Sequence, residues 1–163
     1  MIIRKIDLNT EIEQLVAVIR KSFITVADDF NITPDNAPSN PAFINKEALL
    51  KSAEKKDINY YGCYEQEIII GCYALEKAWQ QTYYLERLAV VPEKRQQGFG
   101  RRLVLDSLRR VKEEGGTNIS IAIIDEHEIL KNWYKSLGFV ESGRKTFDHL
   151  PFDVCFLRYM LID

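Results

Sequence analysis

The sequence predicts a single mixed-sheet domain of the α/β or α+β class over residues 1–163. Three observations predict it. β-forming runs and amphipathic stretches alternate as strand, two helices, a meander of three strands, helix, strand, helix and two strands. The central strand, glycine-bearing turn, helix and strand have the form of a parallel crossover, which is right-handed in nearly all sheets. The strands at either end of the order are joined so that they run antiparallel. A chain of 163 residues has room for one sizeable core and little for a second.

Each element has its own warrant. Ile2 to Ile6 is a short strand. Thr10 opens a helix, with Glu13 completing a capping box and Ile12, Leu15, Val16, Ile19 and Phe23 on one buried face. From Asp28 to Pro41 the periodicity stops, and Pro34, Pro38 and Pro41 block regular structure. A connection of that length is usually a lid or a binding loop. Asn45 caps a helix from Lys46 to about Lys55, stapled by Ile44 and Leu49. The meander is Tyr60–Glu65, Ile68–Leu75 and Thr82–Val91, its first two strands joined tightly through Gln66-Glu67. A helix follows the glycine turn as far as Glu114, then a strand over Asn118–Ile124. A helix over Glu126–Leu137 stops at Gly138, a residue suited to a left-handed C-terminal cap. Strands at Phe139–Ser142 and Val154–Leu161 close the chain around a loop at Gly143–Asp153.

Composition removes several classes of function. A net charge of -2 lacks the basic surplus of a general nucleic-acid binder. No apolar run approaches the roughly 20 residues that span a bilayer, so no membrane partner is expected. The first residues carry Asp7 early and have no apolar stretch of signal-peptide length. Cys63, Cys72 and Cys155 are odd in number and lack metal-ligand spacing. They are expected to be reduced core thiols of a cytoplasmic protein with no metal.

The chemistry concentrates at Arg95-Gln96-Gln97-Gly98-Phe99-Gly100-Arg101-Arg102. A helix that starts at a glycine-rich turn exposes backbone N–H groups at the positive end of its dipole, a natural anion site. Arg101 and Arg102 stand where that dipole disfavours cations, by roughly 0.3–1 kcal/mol each. A local rule broken at such a turn points to function, with a phosphate or pyrophosphate as guest. Gly-x-x-x-x-Gly-Lys-Ser/Thr is absent, and Leu103 stands where the dinucleotide fingerprint needs its third small residue.

What remains is Leu88-Ala89-Val90 followed by Arg95-Gln96-Gln97-Gly98-Phe99-Gly100, an Arg/Gln-x-x-Gly-x-Gly/Ala pattern after a strand. It resembles the acetyl-CoA signature of the GNAT N-acetyltransferase superfamily. Trp133-Tyr134-Lys135-Ser136-Leu137-Gly138-Phe139 is similar to that superfamily's second conserved segment. The resemblance covers the chain in topology and residues 85–140 in motif. It implies a GNAT-like, mostly antiparallel sheet of about seven strands flanked by about four helices, with a central β-α-β acetyl-CoA site. It also implies acetyl transfer to a primary amine by direct attack in a ternary complex, releasing CoA. Superfamily members often dimerise, so a homodimer belongs to the expectation.

By that resemblance the N–H groups of Gln96, Gln97, Gly98, Phe99, Gly100 and Arg101 hold the pyrophosphate, with Arg95 opening the motif. Leu88, Ala89 and Val90 pair with the pantetheine arm and polarise the acetyl carbonyl, an arrangement that lowers a barrier by a few kcal/mol. Tyr134 takes the place of the general acid toward the sulfur. Many relatives carry Asn seven residues before that Tyr; here His127 stands at this cofactor position, and Asn132 is out of register. The base is open between Glu86, His149 and water. Strand alternation puts Glu86 on one face with Tyr84, Leu88 and Val90. His149 lies in the loop beside the acceptor region, with an ordinary pKa near 6.5 that suits a base. Phe30, Phe43 and the Pro-rich loop between them are expected to shape the acceptor pocket. A small-molecule amine is the first expectation. A protein or peptide amine and a non-catalytic acyl-CoA-binding module are the alternatives.

Overall fold

The computed structural model describes residues 1–55 and 57–161. In chain order the elements are β1 (Ile2–Lys5), α1 (Leu8–Asp29), α2 (Lys46–Lys55), β2 (Ile58–Glu65), β3 (Ile68–Trp79), β4 (Thr82–Val90), α3 (Phe99–Glu113), β5 (Asn118–Ile124), α4 (Glu128–Ser136), β6 (Val140–Lys145) and β7 (Val154–Met160). The strands form one sheet in the order β1-β2-β3-β4-β5-β7-β6. Every neighbouring pair is antiparallel except β4 and β5. The mostly antiparallel, helix-flanked sheet is the one the sequence resemblance implies.

That parallel pair carries the consequence for function. It is joined only over Thr82–Tyr84 against Asn118–Ser120. Beyond Tyr84, β4 continues to Val90 on β3, while β5 continues to Ile124 on β7. The sheet therefore splays, and the carboxyl halves of β4 and β5 face a cleft instead of each other.

Opposite faces of the sheet carry opposite helices. On one face Tyr61, Tyr73, Leu75, Tyr83 and Leu85 align across strands and meet α3. There the Tyr73 hydroxyl donates to Asp106 at 2.6 Å, the Tyr83 hydroxyl donates to Glu114 at 2.8 Å, and Arg110 lies over the Tyr61 ring. On the other face Tyr60, Gly62, Cys72, Ala74 and Ala89 line up beneath α1, with Leu15 and Ile19 fully buried.

Several boundaries depart from expectation. α1 starts at Leu8, before Thr10, because Asp7 caps it. The Asp7 carboxylate accepts from the Asn9 N–H and Glu11 accepts from the Asp7 N–H, each at 2.9 Å. β3 runs on to Trp79 because its residues remain paired with β4 through Trp79 and Thr82. α4 starts at Glu128, with His127 as its cap. β6 extends to Lys145 because pairing with β7 holds it extended along an exposed, charged edge.

The segment between α1 and α2 is folded on itself. Ala27, Ile32, Ala37 and Ala42 form a second small core, with Phe23, Phe30, Phe43, Ile124 and Phe152 packed around it. Asn31 sits at φ 53°, the Asn36 side chain bonds Thr33 and Asn31, and Asn40 caps the short turn Pro41–Phe43. Because Phe152 belongs to the β6–β7 loop and Ile124 ends β5, this core joins three segments at the open end of the cleft.

Candidate active site

The turn after β4 puts Gly98 at the N-cap of α3 with φ 85°, ψ 1° and no side-chain cap. Gln96 also has positive φ, at 60°. No protein acceptor is found among the described residues for the amide N–H groups of Gln96 through Arg101; the first amide of this stretch to bond back is that of Arg102, to the Gly98 carbonyl. Those unpaired donors at the positive end of a fifteen-residue helix are an anion cradle. Gly100 serves a different purpose: it lets α3 start close against α4, where a Cβ would stand a tight 3.3 Å from the Trp133 ring. Arg102 rests against the Met1 sulfur at 3.4 Å.

The Arg95 side chain turns away from this cradle. Its Nε donates to the Val90 carbonyl at 3.1 Å, and its two terminal nitrogens donate to Thr25 Oγ1 at 3.0 Å and the Ser22 carbonyl at 2.8 Å. Nothing in the glycine motif signals this, because the partners lie on α1, some seventy residues earlier.

β4 does not keep the alternation expected of it. Cys72 pairs with Ala89 and Ala74 with Glu86, so the strand carries one extra residue, and Arg87 takes up the bulge at φ 51°. Glu86 consequently shares the α1 face with Ala89. Val90 lies on the α3 face, where it pairs with Gly71 and approaches Gly100. The grouping of Tyr84, Glu86, Leu88 and Val90 on one face is thus corrected: the bulge flips every side chain after it. Arg87 is held by the Tyr60 hydroxyl, to which its guanidinium donates.

Across the cleft, His127 caps α4 by accepting the Leu130 N–H on Nδ1 at 3.4 Å. That bond requires an unprotonated Nδ1, so the neutral ring carries its proton on Nε2. Burial pushes its pKa down, with Asp29 opposing. The ring lies 5.1 Å from that of Phe30 at the end of α1. Tyr134, in the last turn of α4, is buried against Trp133 and Phe139. Burial alone raises its hydroxyl's pKa well above the ordinary value, and that hydroxyl has no hydrogen-bond partner among the described residues. His149 is exposed in the β6–β7 loop beside Phe147.

Gly98 at the start of α3 thus stands beside α4, which carries both His127 at its cap and Tyr134, and Glu86 borders the cleft from β4. The sequence alone missed Ser22 and Thr25 as partners of Arg95, Trp133 as the neighbour of Gly100, and Ile124 and Phe152 as part of the small core at the open end of the cleft. Trp133 stands inside the second motif and was the one legible signal.

A sequence model described as the acetyltransferase (GNAT) family matches residues 23–139. The chain belongs to the GNAT acetyltransferase family. Solved GNAT-fold structures resemble it over nearly its whole length. The PaiA N-acetyltransferase from Thermoplasma acidophilum, in complex with coenzyme A, superposes with a TM-score of 0.78 at 20% identity, covering 98% of both chains. An aminoglycoside 6'-N-acetyltransferase complexed with coenzyme A gives 0.74 at 17% identity, covering 100% of this chain and 98% of the other. The ribosomal-protein-S18-alanine N-acetyltransferase from Escherichia coli gives 0.75 at 13%, covering 98% and 93%. At these identities the likeness shows a shared GNAT fold. Among curated protein sequences no significant match to this chain is found. No helix of the described residues is long and apolar enough to cross a membrane, and no group of His, Cys, Asp or Glu among them could hold a metal ion.

Proposed function

We propose that this GNAT chain transfers acetyl from acetyl-CoA to the primary amine of a small molecule, by direct attack in a ternary complex. One observation carries the reading: the unpaired N–H groups of Gln96–Arg101 at the start of α3 adjoin the splay between β4 and β5. Acetyl-CoA supplies an activated acetyl group. The N–H groups of Gln96 to Arg101 hold its pyrophosphate, and the β4 edge at Leu88, Ala89 and Val90 aligns the pantetheine arm. His127, with its proton on Nε2, acts there as a donor, the same capacity that an Asn amide offers.

Tyr134, protonated at neutral pH like any tyrosine, supplies the proton for the departing thiolate. Glu86, on the α1 face at the edge of the splay, takes the proton of the acceptor ammonium. His149 belongs to the rim: its loop docks through Phe152 onto the small core that walls the acceptor end. That wall, closed by Phe30, Phe43 and Phe152, favours a small molecule over an extended peptide, which needs an open groove. The three buried cysteines support a reducing, cytoplasmic setting.

The test has two parts. Millimolar acetyl-CoA is expected to raise the melting temperature through linkage, and a panel of small amines should include one that drives CoA release. No thermal shift at that concentration would sink the reading. A shift without turnover on any amine or peptide would favour a binding module.

A further inference from the structure

We propose that Arg95 acts as a brace: its guanidinium locks the end of β4 and the pyrophosphate turn onto α1 and so sets the spacing between the donor and acceptor sides of the cleft. The proposal rests on the acetyl-CoA reading of the turn. An Arg in a phosphate-binding motif invites assignment as a phosphate ligand. Here three of its five N–H donors are spent on the Val90 carbonyl, Thr25 Oγ1 and the Ser22 carbonyl, at 2.8–3.1 Å. Two of these acceptors lie on α1 and the third is the last residue of β4, so one planar side chain ties three points together. Lys21 of α1 makes an ion pair with Glu93 along the same seam.

The seam matters because of what α1 does further on. Its last turns carry Phe23, Ala27 and Phe30 into the acceptor-side core, and Phe30 meets His127 at the start of α4. α4 returns through Trp133 to Gly100 at the start of α3. The contacts thus run around the mouth of the cleft: β4 to α1 through Arg95, α1 to α4 through Phe30, and α4 to α3 through Trp133. The first of these links is polar and depends on the fork of a guanidinium, which an ammonium cannot reproduce.

Calorimetric CoA binding at low and high salt, with variants, separates brace from ligand. Arg95→Ala is expected to weaken CoA binding about tenfold at both salt concentrations, leaving the steepness of the salt dependence unchanged. Arg95→Lys keeps the charge and loses the fork, and should behave like Arg95→Ala. Thr25→Val should weaken CoA binding about threefold in the unaltered chain and add nothing to Arg95→Ala. A flattened salt dependence in Arg95→Ala, or full affinity in Arg95→Lys, would assign the side chain to the phosphates and overturn the brace. Failure of the unaltered chain to bind CoA would instead defeat the acetyl-CoA reading. In that event the brace still requires the effects of Thr25→Val and Arg95→Ala on the ligand-free melting temperature to be non-additive; additive effects would overturn it.

Discussion

At the scale of single residues, the site separates what a side chain does for the fold from what it does for chemistry. Tyr134 is the clearest case. Its ring fills a place between Trp133 and Phe139, yet its hydroxyl has no partner among the described residues. Removing a hydroxyl that makes no hydrogen bond to the protein costs the fold little. Tyr134→Phe is therefore expected to leave the ligand-free melting temperature nearly unchanged, while kcat falls about 10²-fold through loss of the acid. A fall in melting temperature with kcat intact would reverse the assignment. The positions of Tyr134 and the two glycines were readable from spacing, and the roles proposed for them came from the resemblance. The placement of Glu86 was not, because a one-residue bulge at Arg87 leaves no mark in the alternation of Tyr83 to Val91.

At the scale of elements, backbone conformations with positive φ set the geometry of the cleft and its supports. Gly98 stands at φ 85° with open space around a would-be Cβ, so Gly98→Ala meets no side chain and costs only backbone strain. A loss of about 1 kcal/mol in stability is expected. CoA binding should weaken as well, because the cradle's N–H groups turn with that residue; chemical denaturation and calorimetry read the two effects. The β2–β3 hairpin shows the same strain without glycine: Gln66 at φ 49° and Glu67 at φ 66° make a two-residue turn of the type that favours Asn-Gly. Replacing the pair by Gln66→Asn and Glu67→Gly is expected to stabilise the chain by about 1 kcal/mol, seen as a raised denaturation midpoint with turnover unaffected. Capping residues shift helix starts by similar local chemistry. Asp7 wins over Thr10 because Glu11 bonds its N–H, and that Glu is held in turn by Arg4 and Tyr64.

At the scale of the whole molecule, that same Glu11 joins β1, α1 and β2. The Arg4 hydrogen bond holds its carboxyl well down, from near 4.5 to about 2, against the opposing effect of burial. A depressed folded-state pKa contributes stability that is complete above the unfolded value and is lost as the pH falls through the folded one. Stability is therefore expected to decline between about pH 4.5 and pH 2. Glu11→Gln should flatten that decline and cost on the order of 1 kcal/mol at neutral pH, as a melting series across pH would show. The sequence by itself determined the order of elements, the glycine turn as an anion site and the placement of Tyr134 on the last helix. These follow from local spacing, which survives in a one-dimensional reading. Only the tertiary structure decided that β4 and β5 part after Tyr84, that Arg87 bulges and turns Glu86 from Val90, that Arg95 reaches α1, and that Phe30, Phe43 and Phe152 meet in one wall. Each of these depends on partners tens of residues apart, and pairing across such distances is settled by packing and hydrogen bonding in three dimensions.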